Sequence, residues 1–257
     1  MEILKYRKLK NNQIKIIFKD KSELLTYEDV LLKNNILLKK ELNEEDLFNI
    51  SNDNEIVGCY YDALKYLSHR LRSIKETIDY LNKKNYPSNI ISDNIDKLIK
   101  QGYLNDKRYI SSYINDKISF SSLGPLKIKQ ELLKLIDDPS TIDESLSKID
   151  SLLLEEKVNK IITRLIKSNK TKSGSILKKK IYTYLISLGY DKEIIIRNMS
   201  KYSFSNNKNN LNNDYQKLFK KYQNKYDENK LKYVITQKLL LKGYTKDEIN
   251  GIIILWW

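Results

Sequence analysis

The sequence contains one cysteine, one histidine, three prolines and seven glycines in 257 residues. Each scarcity removes a class of protein. A single thiol, Cys59, leaves no intramolecular disulfide framework and suits a reducing compartment, and its place among apolar residues predicts a packed core thiol. A single histidine, His69, cannot supply a histidine-based metal cluster, and no motif sets it beside a nucleophile. So few Gly and Pro argue against a turn-rich all-β fold. The apolar clusters, such as that at 252–257, fall far short of the ~20 residues needed to cross a bilayer. The first seven residues lack the apolar core of a signal peptide. These absences lead to the expectation of a soluble, cytoplasmic protein with no membrane segment.

Chemistry-bearing motifs are also missing. Neither a Gly-x-x-x-x-Gly-Lys phosphate loop nor a Gly-x-Gly-x-x-Gly fingerprint occurs, which excludes the usual nucleotide-binding machinery. The acid pairs Glu44-Glu45, Asp137-Asp138 and Glu155-Glu156 are adjacent in sequence, and adjacent side chains diverge on a helix. No catalytic residue, cofactor site or metal ligand is therefore expected, and the chain reads as a binding protein rather than an enzyme.

What the sequence does contain is a fourfold internal echo. Leu81, Leu133, Leu185 and Leu239 fall 52, 52 and 54 residues apart. Four residues after each comes Asn85, Asp137, Gly189 or Gly243, types that tolerate the left-handed conformation closing a helix. The next residue is Tyr86, Asp138, Tyr190 or Tyr244, and three of these rings can fold back on the helix just ended. A period of this size marks a helical repeat array, whose units bury their apolar faces by stacking. The predicted fold is mainly α, an elongated tandem array of three-helix repeats with a small β-hairpin-containing N-terminal unit.

The pattern along the chain divides it as follows. Residues 1–52 form the N-terminal unit, with β-prone runs at 3–9 and 13–18 joined by the turn residues Lys10, Asn11 and Asn12. A second turn at Asp20–Ser22 leads to a short strand at 23–25; a helical pattern with Val30, Leu31 and Asn34 on one turn follows, and another helix starts at Asn43–Asp46. Repeat 1 spans 53–105, with a long helix at 55–68, a capping box Ser73–Glu76, and a third helix opened by Pro87 whose buried stripe is Ile91, Ile95, Leu98 and Ile99. Repeat 2 spans 106–150; Asp106 is expected to cap its first helix and Pro125 to open its second, which carries Ile128, Leu132 and Leu135. Repeat 3 spans 151–200, residues 201–213 read as a flexible polar linker, and repeat 4 spans 214–257 with a capping box Thr245–Glu248. Trp256 and Trp257 are expected either to close the last core or to anchor a partner.

Charge is uneven along this array. The net charge is +14, but residues 1–150 hold 25 basic and 24 acidic side chains, whereas residues 151–257 hold 22 and 9. Between Lys157 and Tyr190 lie nine basic residues and no acid. A lysine-rich composition alone does not leave one half neutral and the other strongly cationic. Such a field attracts polyanions, which release counterions on binding, although an acidic protein partner or simple solubility would also suit it. Arginine is scarce, at 6 against 41 Lys, so each arginine marks a position where a planar fork of donors matters.

The stretches Ala63-Leu-Lys-Tyr-Leu67, Arg70-Leu-Arg72-Ser73, Glu76, Leu81, Gly102-Tyr-Leu-Asn-Asp106 and Tyr109 resemble the RecX family of bacterial recombination regulators. The run Leu123-Gly124-Pro125-Leu-Lys127-Ile128-Lys-Gln-Glu131-Leu132 resembles that family's second-repeat signature. Departures fall at Asn105, where the family often has an acid, at Tyr109-Ile110, and at 135–139. The resemblance implies a curved, elongated α-helical molecule, expected to be a monomer, that binds RecA filaments on single-stranded DNA and suppresses recombinase activity in recombination, DNA repair and the SOS response. The rival reading is a nucleic-acid-binding helical repeat protein independent of RecA. The expected DNA- or partner-binding residues are Arg70, Arg72, Arg108, Lys127, Arg164, Lys170, Lys172, Lys178, Lys179 and Lys180. Of these, Arg70 and Arg72 are candidates for protein contact, or only for organising a helix junction, and Lys172, Lys178, Lys179 and Lys180 are expected to approach DNA or an acidic RecA surface.

Overall fold

The computed structural model describes residues 1–10 and 12–256, and side chains as far as Ile254. Asn11 of the expected hairpin turn, and the side chains of Trp256 and Trp257, lie outside the described residues. Among the described residues, thirteen α-helices follow one three-stranded antiparallel sheet. The fold is mainly helical, as the periodicity predicts.

The sheet comprises β1 (Ile3–Lys8), β2 (Gln13–Phe18) and β3 (Glu23–Tyr27) in that order. On the central strand Ile14, Ile16 and Phe18 alternate inward, the period-2 pattern of a half-buried strand. They pack with Val30 and Leu31 of α1 (Glu28–Lys33), with Ile36 and Leu42, and with Ile50 of α2 (Glu44–Leu67). Asp20 accepts from both the backbone and the hydroxyl of Ser22, forming the expected second turn. The two helical stretches expected near 43 and 55 are one helix, α2, started by a capping box between Asn43 and Asp46. No breaker interrupts the run between them, so the helix simply continues.

The remaining helices come in threes. They are α3 (Ile74–Lys83) and α4 (Ser88–Lys100) after α2; α5 (Asp106–Phe120), α6 (Pro125–Leu132) and α7 (Pro139–Ser147); α8 (Ser151–Ser168), α9 (Gly174–Ser187) and α10 (Lys192–Met199); and α11 (Lys208–Tyr222), α12 (Glu228–Leu241) and α13 (Lys246–Trp256). Cys59, Ala63, Leu81, Ile91, Ile95 and Leu98 form the core of the first set. Ile99, expected in that stripe, is 39% exposed, because it sits one position round the helix from Leu98. In the last set Leu211, Tyr215, Leu231, Ile235, Leu239, Tyr244 and Ile249 are buried together. Part of the expected linker is helix, since α11 begins at Lys208.

The leucine echo now has a physical meaning. At the ends of α3, α9 and α12, Asn85, Gly189 and Gly243 have φ of 63°, 85° and 81°. The N–H groups of Tyr86, Tyr190 and Tyr244 then reach back to the carbonyls of Leu81, Leu185 and Leu239 at 3.4, 3.2 and 3.3 Å. This is a Schellman ending, in which the residue after the left-handed position bonds and packs against the last turn. The second copy departs from it. Leu132, not Leu133, is the buried leucine, and Leu133 is 40% exposed. Asp137 does not take the left-handed conformation; Asp138 instead accepts from Ser140 and Thr141 at the start of α7.

Contact density divides the chain into two compact units, one of Met1–Tyr113 with Leu132–Ile142 and one of Ile114–Glu131 with Asp143–Trp257. Within the second unit, successive second helices meet end to end. The free N–H groups of Gly124 and Leu126, at the start of α6, donate to the carbonyls of Leu188 and Gly189 beyond α9, at 2.7 and 3.0 Å. The hydroxyls of Ser173 and Ser175, at the start of α9, donate to the carbonyls of Lys242 and Gly243 beyond α12. Each joint satisfies orphan groups of both helix ends and aligns their dipoles head to tail. Gly124 is required by this approach, since a Cβ there would lie 2.6 Å from the Gly189 backbone.

Candidate nucleic-acid interface

The two arginines expected to face a partner are occupied within the first unit. Ser73 and Glu76 form the expected capping box at the start of α3. The same Glu76 carboxylate accepts from Arg70 at 2.7 Å and lies 3.5 Å from Arg72. Burial pushes this carboxyl up, but the hydrogen bonds from Arg70, Ser73 and Tyr109 outweigh it and hold the group below its ordinary range. Arg72 lies over the Tyr66 ring, 4.1 Å from its centre, and Tyr66 stacks on Tyr80. The pair therefore organises a helix junction. Asp106 also serves this junction: Asn105, not Asp106, caps α5, and the Asp106 carboxylate accepts from the Ile74 N–H at 2.9 Å. Sequence alone placed the cap one residue late, because either side chain can fill that position.

The other expected residues are dispersed. Arg108 is exposed in the first turn of α5, and Lys127 is exposed on α6 beside the Gly189 joint. Lys170 and Lys172 are exposed in the connection between α8 and α9. Lys178 and Lys179 line a groove with Tyr182, Ile196, Tyr202 and Phe204, whereas Lys180 donates to Asn169 at 2.8 Å. Three consecutive residues on a helix turn through about 200°, so these lysines do not share one face.

Arg164 stands in a better-organised place. Lys160, Arg164 and Lys167 are at i, i+4 and i+7 on α8, and they line one open groove with Asn159, Thr163 and Ser168. Lys160 and Arg164 also line a second groove with Lys157, Leu153, Ile118 and Phe120. Lys160 and Arg164 thus stand between two neighbouring grooves on the flanks of α8. Among the described residues, none of Lys160, Arg164 or Lys167 forms an ion pair. Like charges four apart cost a helix about 0.2–0.5 kcal/mol, a cost that a bound polyanion removes.

The groove is held by polar contacts behind it. Lys157 turns inward and donates to the carbonyls of Ile118 and Ser121 at the end of α5, the latter at 2.8 Å. Burial, then the charge of Lys160, lowers the pKa of Lys157. This lysine is a structural cap. On the opposite side of α8, Asn159 donates to Asn198 at 2.9 Å, and Thr163 lies 3.2 Å from the Tyr202 hydroxyl, fixing α8 against α10 and the segment after it. Glu155, the acid near the start of α8, is engaged by Arg197 and Lys201. Sequence reasoning marked this tract as cationic but missed Lys160, Lys167 and Phe120 as site residues. The i, i+4, i+7 spacing of the three cations was the available signal.

No chemical centre accompanies the groove. Among the described residues, no group of three or more His, Cys, Asp or Glu side chains could hold a metal ion, and no helix is long and apolar enough to cross a membrane. Burial pushes the Cys59 thiol up to about 11, so it is protonated and unreactive at neutral pH.

Comparisons with known proteins converge on one family. The model of the RecX first three-helix domain matches residues 59–98, and that of the RecX second three-helix domain matches residues 105–146. Regulatory protein RecX of Bacillus pumilus is 35% identical over 197 residues, spanning 75% of this chain and 74% of its own. The Bacillus subtilis protein of the same name is 29% identical over 254 residues, spanning 96% and 95%. A crystal structure of regulatory protein RecX superposes with a TM-score of 0.65 at 22% identity, over 77% of this chain and 98% of that one, a likeness of fold. RecX from Lactobacillus salivarius gives a TM-score of 0.56 at 30% identity, over 58% and 97%. Both matched three-helix domains end before α8, which carries the groove's cations, but Ile118–Ser122 of the second groove lie inside the second matched domain.

Proposed function

Because this chain belongs to the RecX family, we propose that it is a regulatory protein that binds RecA filaments on single-stranded DNA and restrains their recombinase activity. On this reading it acts in the cytoplasm, as a monomer, in recombination, DNA repair and the SOS response, and it performs no catalysis of its own. The observation that supports the reading is the row of unpaired cations Lys160, Arg164 and Lys167 along α8, lining two adjacent grooves, which suits a nucleoprotein filament whose phosphates are partly exposed. The neutral first half then serves protein contact, with the half-exposed Arg70 as a candidate while Arg72 is held in the helix junction.

The test is RecA-catalysed strand exchange with this protein added well below one copy per RecA. Inhibition in that range is the expected result, because a filament modulator acts on many protomers at once. Inhibition only when the protein saturates the DNA would favour the rival, a nucleic-acid-binding repeat protein that competes with RecA. The unpaired cations also favour that rival over any enzyme.

A further inference from the structure

We propose that Phe120 and the adjoining face of α8 form a binding site for single-stranded DNA, in which an unpaired base stacks on the Phe120 ring and the backbone runs along Lys160, Arg164 and Lys167. Its cellular setting rests on the RecA-filament reading; its chemistry does not.

Phe120 is 88% exposed, more than any other large hydrophobic side chain among the described residues. It is the last residue of α5, and the helix end beneath it is tied down by Lys157, which holds the carbonyls of Ile118 and Ser121. The ring is thus presented on a fixed support at the mouth of the groove that contains Lys160 and Arg164. An exposed aromatic ring beside a cationic track is the arrangement that binds single strands, with stacking and phosphate attraction supplied by separate residues. Duplex DNA offers this ring no free base face, because its bases are stacked on one another. Ser119 and Ser122 line the same groove beside Ile118, Leu153 and Ile161, while the Ser121 hydroxyl is held by the Lys117 carbonyl. Lys160 to Lys167 spans about 10 Å along the helix, enough for consecutive phosphates to meet successive cations.

The experiment measures binding of a fluorescein-labelled oligo-dT, by anisotropy over a series of salt concentrations, for the full chain and three variants. Phe120→Ala should weaken binding about fivefold or more while keeping the salt slope, and Phe120→Trp should restore affinity. The triple variant Lys160→Ala, Arg164→Ala, Lys167→Ala should lower the slope of log K against log salt by about 2. Quenching of 2-aminopurine placed in the oligonucleotide should be lost in Phe120→Ala and kept in Phe120→Trp. Binding of Phe120→Ala within twofold of the unaltered chain would overturn the site. If that variant nevertheless lost inhibition of strand exchange, the groove would belong to a protein surface instead. A chain that shows the predicted Phe120 dependence but never inhibits RecA would keep the site and sink the RecA reading. The converse result would sink the site alone.

Discussion

The two parts of this chain hold nearly equal numbers of lysines, 21 before residue 151 and 20 from there on, and use them differently. Among the described residues, twelve of the fifteen ion pairs join side chains before residue 151, and three lie beyond it. The later half nevertheless holds 22 of the 47 basic residues. In the first half, cations meet acids; Lys33 reaches Asp53, Lys75 reaches Asp137, and Arg70 and Arg72 converge on Glu76. In the second, Lys160, Arg164, Lys167, Lys170 and Lys172 form no ion pair among the described residues. Composition sets a lysine-rich background throughout, and it is the withdrawal of acids that leaves charge available for a partner.

The contrast breaks most severely where the cationic helices are joined. Gly189→Ala would force a Cβ into the left-handed region and against the backbone of Lys127. Backbone strain and overpacking together should cost about 3 kcal/mol or more. Urea unfolding should show this as a lowered midpoint, and an unchanged midpoint would mean that the α6–α9 joint is not what supports the second half.

A smaller loss is expected at the charge-neutral junction of the first half. Glu76→Gln keeps the shape of the side chain but leaves Arg72, whose side chain is only 16% exposed, without its carboxylate, at about 2 kcal/mol. The pH dependence follows from the lowered pKa of Glu76. A carboxyl held below its unfolded value stabilises the fold above that value, about 4.3, and loses the contribution as pH falls through the folded one. The gap between the variant and the unaltered chain in thermal melts should therefore begin to narrow below about pH 4.3 and close once the pH is below the lowered folded value. A gap that persisted in acid would place the effect in packing rather than charge.

Much of this contrast was legible in the residues. The Gly–Tyr steps at 189–190 and 243–244 announce helix endings because glycine alone takes that conformation freely, and the capping boxes at Ser73 and Thr245 form as their spacing requires. The second copy was misread because spacing cannot show that Pro139 restarts a helix with Asp138 as its cap, which releases Leu133 to the surface. The acid-free tract was visible as charge, but not as a face: whether Lys178, Lys179 and Lys180 agree with Arg164 depends on how α8 and α9 pack. Phe120 carried no periodic signal at all. A lone aromatic at a helix end reads as core until its surroundings are known.

Reversing the exposed cations sharpens the contrast further. Lys172→Glu, Lys178→Glu, Lys179→Glu and Lys180→Glu together should weaken filament binding about tenfold at physiological salt and flatten its salt dependence, with little change in stability. Because Lys178 and Lys179 share a groove that Lys180 does not enter, the pair Lys178→Glu, Lys179→Glu should account for most of the effect. Binding that stayed constant across a salt titration for all four would detach α9 from the interface.

The smallest effect is the one that decides whether unpaired charge, rather than charge in total, is what matters. Lys8 and Lys15 of the N-terminal sheet, and Lys19 in the turn after β2, each face a carboxylate, at Glu28, Glu23 and Glu2. Replacing all three by Ala removes as much positive charge as neutralising Lys160, Arg164 and Lys167. If net charge drove association, the two triple variants would lose the same salt slope. If pairing decides, the N-terminal variant should bind oligo-dT within twofold of the unaltered chain and differ in stability by no more than about 1 kcal/mol, since a surface pair contributes little and its acid returns to water. A slope lost equally by both would dissolve the distinction between the halves, and with it the reason to look for the partner at α8.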